Sequence, residues 1–214
     1  MKVMTIVYVY DALCGWCYGF SPVIMKLQEE YKPALTIEVI SGGMITGSRI
    51  GPIGEVTSYI KSAYKTVEAR CDVKFGEGFL NHTLADGKAV FTSVPPAIAL
   101  SIIKHLKPDH SLSFATALQK AIYHTGISPD DLEAYAALAS DYGIDAQFFI
   151  EKMQDPVYNQ MAKEDFKRSV DLGVKGFPTV FVKQDEDYSE VCRGYLSYKD
   201  LRNNLLTLKK NGYG

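Results

Sequence analysis

The rhythm of apolar and polar positions changes along the chain. Val3 to Tyr10 is an almost unbroken apolar run, the pattern of a strand covered on both faces, and Leu35 to Ile40 repeats it. Between them Pro22 to Leu27 belongs to a segment that reads as a helix ending before Pro33. Such a β-α-β unit implies parallel strands and a right-handed crossover. Gly42, Gly43, Gly47, Gly51 and Gly54 then mark an extended loop. From Ile53 the spacing becomes helical and stays so to Met153. The pattern predicts a helix over 53–69, a glycine-rich stretch at Phe75–Phe79, and a helix over 97–106 capped by Ser93 with Pro95 and Pro96 in its first turn. Ser111 is expected to cap the next, which carries Leu112, Ala115, Leu118 and Ile122 at helical spacing. Ser128-Pro129-Asp130-Asp131 reads as a capping box whose helix stops at Gly143. Asp145 opens a short helix carrying Phe148, Phe149 and Met153, and Asp155-Pro156 opens a long one that stops at Gly173. Strand character then returns at 179–182 and 188–192, joined by the acidic turn Gln184–Asp187 as a hairpin. A last helix over 199–208 has Lys209 and Lys210 at its favourable end.

The order is therefore β-α-β, a helical block, then α-β-β-α. Without the block this is the order of the thioredoxin fold, an α/β architecture. Both ends of the block join elements of one sheet. Residues 53–153 are therefore expected to form an inserted all-helical subdomain, and residues 1–52 with 154–214 one discontinuous thioredoxin-like domain.

Composition narrows the function. A chain of 214 residues with 47% hydrophobic content can bury a sizeable core. Its formal charge is −2 and its longest basic run is Lys209-Lys210, which argues against a nucleic-acid surface. No apolar run approaches the ~20 residues that span a bilayer. The apolar run after Met1-Lys2 lacks a small-residue cleavage site, and removing it would delete the first strand. It reads as mature structure, and the expected location is cytoplasmic.

Four cysteines are too few for a disulfide scaffold in a chain of this length, so they are present for chemistry or by accident. Cys14-Gly15-Trp16-Cys17 stands at the junction of the first strand and its helix. There the helix amides and dipole favour a thiolate on Cys14, and one turn brings Cys17 within reach of it. Cys14 would attack and Cys17 resolve. A structural zinc site would need two more ligands, usually as a second close pair, but Cys71 and Cys192 are single and far apart. His82, His105, His110 and His124 have no metal-like spacing, so no metal is expected. Cys71 and Cys192 read as packing thiols.

Tyr10 to Phe20 with its cysteine pair, the helical insertion, and Gly176-Phe177-Pro178-Thr179 at the entrance of the returning strand together resemble the DsbA superfamily, and within it the FrnE-like branch of protein-disulfide isomerases. The resemblance implies thiol-disulfide oxidoreductase activity through a mixed disulfide, with Cys14 as nucleophile and Cys17 as resolving thiol. It implies a cis Pro178 beside the pair, with the backbone of Phe177 holding an extended substrate. No cofactor beyond a redox-active Cys14–Cys17 disulfide is implied. The partners would be protein or peptide thiols and disulfides, with glutathione or a thioredoxin-type reductant as a further candidate. Periplasmic members carry a signal peptide and commonly a histidine between the cysteines; this chain has neither, which favours reduction or isomerisation over strong oxidation.

Trp16, between the cysteines, is expected to contact substrate, while Gly15, Asp11 and Thr179 support the site, Asp11 as a cap on the approach to the helix. Tyr8 stands six residues before Cys14, where many thioredoxin-like proteins hold a buried carboxylate that relays the proton of the resolving cysteine. With an ordinary pKa of ~10, a tyrosine cannot accept that proton near neutral pH. Two other readings share the fold. One is a glutathione-dependent transferase or isomerase of the kappa-class or hydroxychromene-carboxylate isomerase type, which typically has a serine in place of the pair. The other is a non-enzymatic thioredoxin-like binding or metal-carrying module.

Overall fold

A computed structural model describes residues 4–210, with side chains up to Leu208. The expected strand start at Val3 and the side chains of Lys209 and Lys210 lie outside the described residues. Strand β1 (Met4–Tyr10) leads through a short turn into helix α1 (Gly15–Tyr31), which returns to β2 (Leu35–Ser41), parallel to β1 with Tyr8 beside Val39. Pro22 lies inside α1 and cannot donate to the Tyr18 carbonyl one turn back. The Ser21 hydroxyl donates to that carbonyl instead, at 2.7 Å, and the helix runs on.

The helical block departs from its sequence reading in detail. A two-residue strand β3 (Gly51–Pro52) and a 3-10 turn precede α2 (Thr57–Arg70), so the helix starts later than Ile53. After a π turn (Gly78–Thr83) and the short α3 (Leu84–Asp86), β4 (Val90–Phe91) pairs with β3, a contact that helical periodicity cannot disclose. Helix α4 (Val94–Leu106) follows, then α5 (Ser111–Lys120), which continues as a π turn (Ala121–Thr125), then α6 (Leu132–Ser140) and α7 (Ala146–Gln154).

Three of the expected serine caps are not formed. The Ser93 side chain makes no cap bond to its own helix, Ser111 is inside α5 with its hydroxyl on Pro108 O, and Ser128 bonds Asp130. Asp131 caps α6 instead, accepting from Ala134 N at 3.0 Å, because the prolyl turn at Pro129 postpones the helix by three residues. Asp145 and Asp155 do cap α7 and α8 (Pro156–Asp171), and Gly173 follows α8 with a left-handed φ of +69°.

The hairpin β5 (Thr179–Gln184) and β6 (Asp187–Arg193) completes a sheet of order β2-β1-β5-β6, with β5 antiparallel to both neighbours, and α9 (Tyr198–Lys210) closes the described chain. Central β1 is buried on both sides. Ile6, Tyr8 and Tyr10 face the main core with Phe20, Ile24 and Leu27 of α1, while Val7 and Val9 meet Ile40 and Phe181 on the other face. That explains its unbroken apolar run.

Helix α8 is fastened to the sheet and to α4 through Asp165, whose carboxylate accepts from Ser41 N at 3.0 Å and from Lys104 Nζ at 2.7 and 2.8 Å. Burial pushes this carboxyl up, and Lys104 is the leading influence pulling it back. Lys104→Met therefore leaves a carboxylate of 9% exposure without its counter-ion, at an expected cost of about 3 kcal/mol at neutral pH. The unfolding midpoint should fall by roughly 6 to 12 °C. Without Lys104 the folded-state pKa of Asp165 rises further. The deficit is thus present above that pKa and vanishes as pH falls through it, since a protonated carboxyl has no charge to strand. Thermal unfolding at neutral and acidic pH checks this, and an equal deficit at both would count against it.

Candidate active site

Three loops meet at the amino end of α1: the turn after β1, the loop after β2, and the Gly176–Pro178 approach to β5. Cys14 is the N-cap of α1, with extended backbone at φ −91° and ψ 109°, so its sulfur turns back over the helix start. It accepts from Cys17 N at 3.3 Å, and its S–H points to Phe177 O at 3.5 Å. The Cys14 amide donates to Asp11 O at 3.1 Å, which closes the turn. Cys17 lies one turn inside. It is wholly buried, and burial above all, with the adjacent Cys14 second, pushes its thiol well up. Both cysteines are free thiols. A sulfur that receives a helix amide at the rim, with a second sulfur behind it, is an arrangement that can form a mixed disulfide and then close on itself.

Asp11 has a larger role than a cap on the helix approach. Its carboxylate accepts from Leu13 N at 2.9 Å, from Met44 N at 2.8 Å and from the Ser93 hydroxyl at 3.0 Å. Its own carbonyl accepts from Gln119 Nε2 at 3.1 Å. One buried side chain thus joins the Cys14 turn, the loop after β2 and the start of α4. Burial raises its pKa against the pull of these donors.

The Phe177–Pro178 peptide is cis, and Pro178 O accepts from Gly194 N at 2.7 Å. Thr179, wholly buried at the start of β5, donates from its hydroxyl to Gly176 O at 2.8 Å and shapes this loop. The Phe177 ring packs against Gly42, where a Cβ would come within 2.1 Å of it, so only glycine admits the ring there. Trp16 is half-buried with its ring 6.3 Å from Tyr195, an aromatic partner from the segment before α9. At Gly15 a side chain would make ordinary contact with Phe75, at 3.6 Å.

Sequence reasoning missed the layer beneath. Phe75 and Phe79 pack against Tyr123 at 5.2 and 5.1 Å, and the Tyr123 hydroxyl donates to Leu13 O, one residue before Cys14. The glycine-rich stretch makes this possible: a Cβ on Gly78 would sit 2.0 Å from Thr125 O. Gln119 carried a usable signal, a polar residue seven positions after Leu112 on the apolar stripe of α5, and it is 1% exposed. Ser93, Met44 and Tyr195 carried none.

Cys71 and Cys192 stand apart from this chemistry. Burial pushes the Cys71 thiol up to about 11, and its sulfur packs on Gly19 of α1. Cys192 is pushed up to about 12 and donates to Gly194 O at 3.0 Å. Among the described residues, no group of three or more His, Cys, Asp or Glu could hold a metal ion, and no Lys, Arg or His side chain hydrogen-bonds either active sulfur.

A family model described as Thioredoxin matches residues 8–203. Among solved structures, a candidate protein disulfide isomerase from Nitrosomonas europaea superposes with a TM-score of 0.86 at 25% identity, over 98% of this chain and 99% of that one. The cytosolic disulfide reductase DsbM from Pseudomonas aeruginosa gives 0.82 at 27% identity, over 97% and 99% of the two chains. Its structure with GSH gives 0.80 at 26%, over 96% and 99%. A comparison with curated protein sequences finds no match.

Proposed function

The chain belongs to the thioredoxin family, and from that premise we propose that it is a thiol-disulfide oxidoreductase that reduces or reshuffles disulfides of proteins or peptides. The observation that carries this reading is the Cys14 sulfur, held at the start of α1 by the Cys17 amide and facing Phe177 O, with the Cys17 thiol buried behind it. The Cys14 thiolate attacks a substrate disulfide, one substrate sulfur leaves as thiolate, and a Cys14–substrate disulfide remains. Cys17 gives up its proton and attacks the Cys14 sulfur. The Cys14–Cys17 disulfide forms and the second substrate sulfur leaves to take up a proton. Phe177 and Pro178 line the substrate's path, Trp16 flanks it, and Gly15, Asp11 and Thr179 support the loops. Residues 53–153 act as an inserted subdomain that underlies the pair, residues 1–52 and 154–214 forming the thioredoxin-like domain.

The resemblance to a cytosolic disulfide reductase, one structure of which contains GSH, supports glutathione as the reductant that reopens the Cys14–Cys17 disulfide, and a cytoplasmic location. No helix among the described residues is long and apolar enough to cross a membrane. The proposed direction of electron flow rests on the lack, among the described residues, of a cationic side chain hydrogen-bonded to either sulfur. A thiolate held by amides alone stabilises the reduced protein less than one that also has a positive partner, so the disulfide is harder to reduce. The reduction potential should lie nearer the ~−270 mV of thioredoxin than the ~−120 mV of the strongest oxidant of this kind. Equilibration in glutathione buffers, read from the fluorescence of Trp16, measures it. A value close to that of the oxidant would replace the reductase reading with an oxidase one.

A further inference from the structure

Tyr8 lies on the face of β1 that looks toward α1, with its ring 5.6 Å from Tyr10 and 5.8 Å from Phe20, and it is 2% exposed. Among the described residues its hydroxyl is one of three buried polar side-chain atoms that make no hydrogen bond of ordinary geometry; the others are Tyr10 Oη and Ser41 Oγ. An unpaired buried hydroxyl is destabilising, and phenylalanine would fill the same space without it. The thiol of Cys17, on α1 in the same buried cluster, is a side chain toward which the phenol can donate.

This inference rests on the oxidoreductase reading, because it concerns the step in which Cys17 attacks. That sulfur is wholly buried and, among the described residues, is hydrogen-bonded by no cationic side chain, so its thiolate is disfavoured when the mixed disulfide must be resolved. We propose that Tyr8 is a positioning residue that donates a hydrogen bond to the Cys17 sulfur as it becomes a thiolate, lowering the cost of the attack on Cys14. In that step the Cys17 S–H bond is broken and its proton passes to solvent. The Cys14–Cys17 bond forms as the Cys14–substrate bond breaks, and the departing substrate sulfur takes a proton in turn. Tyr8 keeps its own proton throughout. Its burial, first, and the negative charge of Cys17 and Cys14 hold its phenol protonated far above neutral pH, so it is a donor wherever the enzyme works. This differs from the carboxylate relay of many thioredoxin-like proteins: Tyr8 accepts nothing.

The other titratable groups facing Cys17 are Cys14 at the helix start, Asp11 in the turn before it, Tyr10 on β1 and Tyr123 after α5. Negative charge on any of them opposes a Cys17 thiolate. Tyr10 serves as an internal control, being on the same face of the same strand, equally buried and equally unpaired.

The test uses the reduced full-length protein with 5,5′-dithiobis(2-nitrobenzoate), whose two coloured thiolates report the two steps in turn. Attack by Cys14 releases the first and resolution by Cys17 the second. Tyr8→Phe is expected to release the first at the wild-type rate and the second about ten- to a hundred-fold more slowly, the loss expected for a hydrogen bond to a charged acceptor. The pH midpoint of the second release should move upward, because the thiolate has lost a stabilising donor. Tyr10→Phe should match the wild type in both phases. A second phase in Tyr8→Phe with the wild-type rate and midpoint would overturn the proposal, and so would equal slowing in Tyr10→Phe. A wild-type protein that gives no second release would overturn the oxidoreductase reading and this inference together. Tyr8→Phe removes only an unpaired hydroxyl, so its thermal unfolding midpoint should be unchanged or higher.

Discussion

Cys17→Ala is expected to accumulate a disulfide-linked adduct with glutathione disulfide or a disulfide peptide, while Cys14→Ala accumulates none. Both variants should lose turnover by roughly three orders of magnitude or more, since each lacks one of two obligatory sulfurs. The asymmetry follows from position. Cys14 is 6% exposed and Cys17 0%, and the Cys17 amide turns the outer sulfur toward Phe177 O, where an extended substrate chain would lie. With Cys17 gone the first exchange still proceeds and has no exit. With Cys14 gone the remaining thiol is behind the helix start, pushed up by burial and out of reach. Intact-mass measurement of each variant after incubation decides the matter, and adducts borne by Cys17 in Cys14→Ala would reverse the two roles.

The largest stability effect outside the cysteines is expected at Asp11. Asp11→Ala leaves Leu13 N, Met44 N and the Ser93 hydroxyl without their acceptor in a buried site. Each such orphaned donor costs ~1–3 kcal/mol, and partial rearrangement brings the expected total to about 4 kcal/mol. The unfolding midpoint should drop by roughly 8 to 16 °C. Asp11→Asn keeps an oxygen for Leu13 N and Ser93 but presents an amide to Met44 N–H, so it should fall between the wild type and alanine. Disulfide-reductase activity should decline in the same order, because the Cys14 turn and the loop that carries Gly42 share this side chain. Calorimetry and a turnover assay on both variants test it, and an alanine variant as stable as the wild type would show that water replaces the carboxylate.

What the sequence disclosed was local. The double-sided apolar run of β1, the aspartates that cap α7 and α8, Gly173, and the cysteine pair at a strand-to-helix turn each carry their reason within a few neighbouring residues. The loop at Pro178 was legible because its proline stands where a strand should begin. The support of the site was not, because it is built from contacts across long stretches of chain. Ser93 looks like a helix cap and instead serves Asp11, 82 positions away. Tyr123 looks like one more aromatic of a helical block and instead holds Leu13 O, 110 positions away. No period in the sequence records such pairings. Gln119 is the exception, since an amide on an apolar stripe must find a partner inside.

The sheet order also bears on how the protein is made. Strand β1 meets β2 after one helix, but its other neighbour, β5, begins at Thr179, beyond the whole helical block. A ribosome adding ~5–20 residues per second needs roughly ten to thirty seconds between the two. For that interval the nascent chain has one open edge on its central strand and carries both active thiols without the Phe177 carbonyl that later faces Cys14. On the proposed function, a half-made molecule would meet disulfides before the loop proposed to hold the substrate exists. Synthesis in a thiol-rich surrounding would keep those sulfurs reduced until the last hairpin emerges.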